Sequence, residues 1–239
     1  MSDDEGVERI LVVTAHPDDV DFGVAGSVAT WTDAGIEVTY CIVTDGEAGG
    51  FDASISRTEM AELRRAEQTA AAKMVGVTDL VFLGYPDGRV ETSLDLRRDL
   101  SRVIRRVRPQ RVVGQSPERN YQRIYASHPD HLAVGEATLC AVYPDSRNPF
   151  AHPELLDEGM EPWTVTELWL GGAAPDPNHF VDITDVIDRK LEALKRHVSQ
   201  HPEPERLDEL IKGWGAMVGQ LAGLPEGRYA EGFLAIGTA

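Results

Sequence analysis

The apolar positions of this chain fall into short runs separated by longer stretches of helical periodicity. Residues 9–14 (RILVVT) and 36–44 form two runs of strand length, the second rich in β-branched side chains. Residues 80–83, 111–114 and 164–170 add three more. Between them, residues 22–33, 58–75, 94–107 and 132–142 have the spacing or composition of helices. Gly35 and Gly76 follow two of these where a C-cap is expected, and Pro109 follows a third. Residues 183–199 and 205–221 read as closing helices. Residues 45–57, which contain Gly46, Gly49 and Gly50, and residues 143–163, with four prolines, read as loops. Strands alternating with helices predict βαβ units: an α/β, Rossmann-like three-layer fold with a mostly parallel central sheet. No repeat or linker divides the chain, so residues 9–239 are expected to form a single domain behind a flexible acidic N-terminus, residues 1–8.

Composition narrows the function. Among 239 residues, 23 Lys and Arg face 40 Asp and Glu, a formal net charge of −17. There is no basic excess to neutralise phosphates, which argues against nucleic-acid partners and against anionic membranes. No run approaches the roughly 18 apolar residues of a membrane span. The acidic start lacks an apolar signal region, and a cytoplasmic location is expected. Cys41 and Cys140 are too few for a disulfide framework and read as buried free thiols.

Two clusters carry the candidate chemistry. Ala15-His16-Pro17-Asp18-Asp19 begins where the first strand ends. In open parallel sheets ligands bind at the carboxyl ends of strands, near a reversal of strand order. A dinucleotide site would place a Gly-x-Gly-x-x-Gly there, and this chain does not. His16 and Asp19 are suitable zinc ligands, and Pro17 restricts the backbone between them. Asp18 is placed to hold a water beside such a metal. The competing reading makes Asp18 or Asp19 a helix N-cap. Ser127-His128-Pro129-Asp130-His131 occupies the same kind of position after the fourth strand. His131 offers a third ligand, and two His with one carboxylate and an open position is a common catalytic zinc arrangement. Asp130 is suited to hydrogen-bond an imidazole and fix its tautomer.

The two clusters resemble the paired signatures of the PIG-L/LmbE-like family of metal-dependent N-deacetylases. Arg64-x-x-Glu67, Gly76 and Phe82-Leu83-Gly84-Tyr85-Pro86-Asp87-Gly88 match in order and spacing, over about Ile10 to Val142. The resemblance implies Zn2+ on His16, Asp19 and His131, a site also compatible with Fe2+. It implies Asp18 as general base and His128, oriented by Asp130, as the group that stabilises the oxyanion or donates a proton. Arg64 and Asp87 would contact the substrate. The expected enzyme is a zinc-dependent N-deacetylase that hydrolyses the amide of an N-acylated small molecule, an amino-sugar conjugate or secondary metabolite. Proteins of this architecture often form homo-oligomers. Val20 and Ser127 depart from the family pattern and bear on the substrate more than on the metal.

Other readings remain at this level. The same metal site could serve a hydratase or another acyl hydrolase. A non-haem Fe(II) oxygenase also uses two His and a carboxylate, though with His-x-Asp spacing on an all-β scaffold. A non-catalytic metabolite-binding protein would have no need of Asp18. Selectivity is expected in residues 45–57, 115–126 and 143–163, where Tyr121, Tyr125 and Trp163 could stack on a sugar or pack the loops.

Overall fold

The sheet grows outward from strand β1 (Arg9–Thr14), which pairs in parallel with β2 (Glu37–Thr44) on one side and β4 (Arg111–Gln115) on the other. A computed structural model describes residues 4–121, 124–171, 176–201 and 203–239. β3 (Asp79–Tyr85) extends the sheet beyond β2, and β5 (Glu167–Gly171) beyond β4, both in parallel. β7 (Ala230–Gly237) then adds antiparallel to β5, and β6 (His179–Asp182) antiparallel to β7. The order is β3-β2-β1-β4-β5-β7-β6.

Alternation along the strands builds two cores. Side chains of a strand point to opposite faces with period 2. Ile10 and Val12 of β1 therefore join one cluster, with Val28 and Trp31 of α2 (Ala25–Asp33), Ala71 and Ala72 of α3 (Arg57–Met74) and Leu191 of α7 (Ile187–Leu194). Leu11 and Val13 join the other, with Leu96, Leu100 and Ile104 of α4 (Leu94–Val107) and Val134 and Ala137 of α5 (Pro129–Cys140). A sheet buried on both faces needs continuous apolar strands, and β1 and β2 have them. The three-layer, mostly parallel fold expected from the sequence is the one observed.

Several details differ from the sequence reading. The helix expected at residues 22–33 is two, α1 (Asp19–Gly23) and α2, broken at Val24 with φ −139° and ψ 9°. The helix expected at residues 183–199 ends at Leu194. A short α6 (Glu154–Asp157) lies in the proline-rich segment, and α8 (Pro204–Leu221) is close to its expected span. The acidic N-terminus is docked from Asp4 on: Asp4 lies 2.6 Å from the buried Arg111, and Val7 is buried. Cys41 is buried, and burial pushes its thiol up to about 12; Cys140 is only half-buried. Trp163 packs, donating to the Pro109 carbonyl at 2.7 Å under the Arg108 guanidinium. The side chain of Tyr125 lies outside the described residues. Among those residues no helix is long and apolar enough to cross a membrane.

His197, in the run expected to be helical, follows α7 and is wholly buried, its Nε2 2.8 Å from Asp21 Oδ2. Burial lowers its pKa, but the hydrogen bond and charge of Asp21, with Asp18 and Glu67 behind, leave it raised above 6.5. A raised folded pKa adds stability that is full below the unfolded value and is lost as pH rises through the folded one. The stability gap between the native protein and His197→Gln is therefore expected to narrow as pH rises from about 6. Urea midpoints measure it, and a gap independent of pH would contradict a charged His197.

Candidate active site

Strand order reverses between β1 and β4: β2 and β3 lie to one side of β1, β4 and β5 to the other. The carboxyl ends of these two strands border the crevice where open α/β sheets bind ligands. The first His-Pro-Asp cluster follows β1, and the second opens α5 after β4, so the fold brings both to this crevice. The rings of His16, His128 and His131 stand 4.8 to 5.4 Å apart, centroid to centroid.

Ligand-type atoms of three residues converge on one point. His16 Nδ1 is 3.2 Å from His131 Nε2 and 3.3 Å from Asp19 Oδ2, and His131 Nε2 is 3.1 Å from Asp19 Oδ1. A tetrahedral ion with bonds of about 2.0–2.1 Å separates its ligand atoms by about 3.3 Å. The donor set and spacing therefore fit zinc. Asp19 is held by the His16 N–H at 2.8 Å and by Gln115 Nε2 at 3.2 Å, while Gln115 Oε1 accepts from the Ala15 N–H at 2.9 Å.

The far edge of His16 faces carboxylates. Its Nε2 lies 3.1 Å from Asp130 Oδ2 and 3.2 Å from Asp87 Oδ1. His16, Asp87 and Asp130 form a second group of metal-ligand type, as do His16, His128 and His131. In the carboxylate group, however, the acceptors are engaged. Asp130 accepts from the Gly88 N–H at 2.7 Å and the Val90 N–H at 3.2 Å, and Asp87 from the Ala48 N–H at 3.2 Å. This edge suits an imidazole N–H that leaves Nδ1 free to coordinate. Burial pulls the His16 pKa down, but the charge of Asp19 and hydrogen bonds to Asp130, Asp19 and Asp87 raise it to about 12. Carboxylates that favour a proton so strongly also favour a divalent cation beside the ring.

Asp18 takes the N-cap position of α1 with its backbone alone. It precedes α1 with φ 90°, and its side chain makes no capping bond. A non-glycine residue in this left-handed region costs about 1–3 kcal/mol and must be held by its surroundings. Gln68 Oε1 accepts from the Asp18 N–H at 2.8 Å, and Arg64 Nη2 donates to Asp18 Oδ2 at 3.0 Å. Arg64 and Gln68 stand one turn apart on α3, so one helix face fixes both backbone and carboxylate. Burial raises the Asp18 pKa, Arg64 opposes it, the Asp19 charge adds, and the result is about 6.

The partners of the other expected residues differ from expectation. Asp130 does not orient His128 with its carboxylate; that carboxylate serves His16. Instead the Asp130 backbone N–H donates to His128 Nδ1 at 3.2 Å, which leaves the proton of the neutral ring on Nε2. Burial and the neighbouring His16 lower the His128 pKa, keeping it neutral near pH 7. Arg64 and Asp87, expected at the substrate, are 4% and 8% exposed and are engaged by protein groups. Arg64 donates to the Pro17 and Gly46 carbonyls as well as to Asp18. The Gly-rich loop closes over this guanidinium: a Cβ at Gly46 or Gly49 would come within 2.6 Å of Arg64 Nη1. Arg57 and Arg65 turn instead to Glu47 and Asp45. Val20 is in the core, and Ser127 Oγ accepts from the Asn120 N–H at 2.7 Å. Gln68, Gln115 and Asp21 escaped the sequence reading; the one available signal was the position of Gln68 one turn beyond Arg64.

Comparison with known proteins shows the family and the fold. The sequence profile described as "PIG-L: GlcNAc-PI de-N-acetylase" matches residues 11–142. The chain is 32% identical over 228 residues to diacetylchitobiose deacetylase of Thermococcus kodakarensis, covering 95% of this chain and 82% of that protein. It is 30% identical over 200 residues to a probable N-acetyl-alpha-D-glucosaminyl L-malate deacetylase 2 of Bacillus anthracis, covering 80% and 81%. The crystal structure of N,N'-diacetylchitobiose deacetylase from Pyrococcus horikoshii superposes with a TM-score of 0.89 at 32% identity, over 98% of this chain and 85% of that one.

Proposed function

The chain belongs to the PIG-L family of de-N-acetylases, and from that premise we propose that it hydrolyses the amide of an N-acylated amino-sugar conjugate, using zinc held by His16, Asp19 and His131. The observation that carries this reading is the convergence of His16 Nδ1, Asp19 and His131 Nε2 at 3.1 to 3.3 Å beside a carboxylate, Asp18, that is not engaged as a cap.

Zinc in this place supplies Lewis-acid chemistry, acidifying water and polarising a carbonyl oxygen. The rest belongs to the chain. Asp18, with a pKa of about 6, is ionised at neutral pH and takes the proton of the attacking water. His128 presents its Nε2–H to the carbonyl oxygen of the acyl group as it becomes an oxyanion. Asp18 then returns the proton to the amine as the C–N bond breaks. Arg64 and Gln68 position Asp18, while Asp87 and Asp130 position His16. Such outer partners typically contribute about 10- to 100-fold in metal affinity. Asp130→Asn is expected to weaken zinc binding by that factor, read by competition with a chromophoric chelator. Unchanged affinity would remove Asp130 from this role.

The reading is tested by acetate release. Zinc-loaded protein is incubated with N-acetylglucosamine conjugates bearing sugar, malate or inositol aglycones. Equimolar acetate and free amine are expected from at least one. Turnover of an unsaturated acid without acetate would instead identify a hydratase.

A further inference from the structure

A cavity of about 370 Å³ opens from the metal-binding point, bordered there by Asp19 and His131. Phe22, one turn after Asp19 on α1, and Ile183 line it from one side. Ile211, Trp214, Met217 and Val218 of α8 line it from the other, at the spacing of one helix face. Its volume lies in the range of small-molecule sites, about 300–1,000 Å³. The methyl of an acetyl group takes roughly the space of one water, about 30 Å³.

Two of the charges in the wall satisfy each other. Lys190 Nζ donates to Glu231 at 2.5 Å and to the Phe22 carbonyl at 2.7 Å. Glu231 accepts from the Gly26 and Ser27 N–H groups at 3.0 and 2.7 Å. The pair is internally neutralised, and the other polar lining residues, Gln115, Ser116, Glu118 and Asn120, come from the end of β4 and the loop after it, which leaves the α1 and α8 walls to apolar side chains.

Position decides which end of the substrate enters. The leaving amine must lie against Asp18, which returns its proton. Asp18, Asp87 and His128 do not border the cavity among the described residues. The acyl carbon's other substituent needs no proton and points the opposite way, past Asp19 and His131.

We propose that this cavity receives the hydrocarbon chain of an N-acyl group longer than acetyl, making the protein a medium-chain N-deacylase; this rests on the amide-hydrolase reading above. Water attacks the acyl carbon and the C–N bond breaks. The products are the medium-chain carboxylic acid and the free amine, with no further reactant.

The test uses one amino-sugar conjugate carrying N-acetyl, N-butanoyl or N-hexanoyl groups and the zinc-loaded protein. Burying a methylene is worth about 0.8 kcal/mol, or up to fourfold. kcat/KM is expected to be roughly tenfold or more higher for hexanoyl than for acetyl. Met217, 49% exposed, can change without disturbing the core. Met217→Trp fills the mouth and is expected to cut the hexanoyl-to-acetyl ratio about tenfold. In calorimetric titrations, hexanoate is expected to bind the zinc-loaded protein more tightly than acetate, and Met217→Trp to weaken that preference. Acetyl turnover with no gain for hexanoyl overturns the proposal and leaves the hydrolase reading intact. An equal rise in KM for every acyl length in Met217→Trp also overturns it, because the cavity then holds the sugar. If no conjugate is turned over, the hydrolase reading fails by itself and the titration decides the cavity. A hexanoate preference supports an acyl-chain site, and equal binding of the two acids overturns it.

Discussion

Replacing Asp18 by alanine is expected to lower turnover of an N-acylated amino-sugar substrate by about 100- to 10,000-fold, the contribution of a positioned general base, while zinc stays bound. The two effects separate because Asp18 is not among the three residues whose ligand atoms converge. Its carboxylate is aimed by Arg64 at 3.0 Å and its backbone pinned by Gln68 at 2.8 Å. Alanine in the left-handed region adds a strain of about 1–2 kcal/mol that Asp tolerates better. Asp18→Asn therefore serves as the control, keeping shape and backbone preference while losing the base. Both variants are expected to hold one zinc per chain by elemental analysis. Turnover by either within tenfold of the native protein would place the base elsewhere.

His131→Ala is expected to lose both zinc and activity. Removing a directly coordinating nitrogen costs more than the about 10- to 100-fold attached to outer partners. The remaining pair, His16 Nδ1 and Asp19 Oδ2 at 3.3 Å, leaves two open positions where the intact site has one. His131 lies in the first turn of α5 with its side chain 19% exposed, so truncation leaves the two cores untouched. After dialysis, zinc content near zero with an unchanged far-UV circular dichroism spectrum is the expected result. Native zinc content would sink His131 as a ligand.

The contrast between these variants bears on what a sequence can reveal. β1, β2, β4 and β5 were legible because a strand buried on both faces must be apolar nearly throughout, and the half-buried edge strand β3 because its short apolar run stops at a Gly-Tyr-Pro-Asp-Gly turn. β6 has four residues, too few to establish a period, and β7 is interrupted by Gly232. At Gly232 a Cβ would press on Pro177, Phe180 and Val218 at 3.3 to 3.4 Å, so close packing rather than strand propensity set the residue. His16, Asp18, Asp19, His128 and His131 were legible because local clusters carried the right chemistry. Which residue pairs with which was not. Asp130 reaches back across 114 residues to His16, and Arg64 across 46 to Asp18, contacts that only the folded sheet creates. Gln115 and Gln68 hold the site by amide hydrogen bonds, and an amide in a strand end or a helix has no motif to announce it.

The central claim is the position of the metal, because the roles of Asp18, Asp130 and His128 all follow from it. Crystals of the zinc-loaded protein, measured on both sides of the zinc absorption edge, locate it directly. The expected anomalous peak lies about 2.0–2.2 Å from His16 Nδ1, His131 Nε2 and an Asp19 oxygen. A peak on the opposite edge of His16, coordinated by Nε2 with Asp87 and Asp130, would contradict the account.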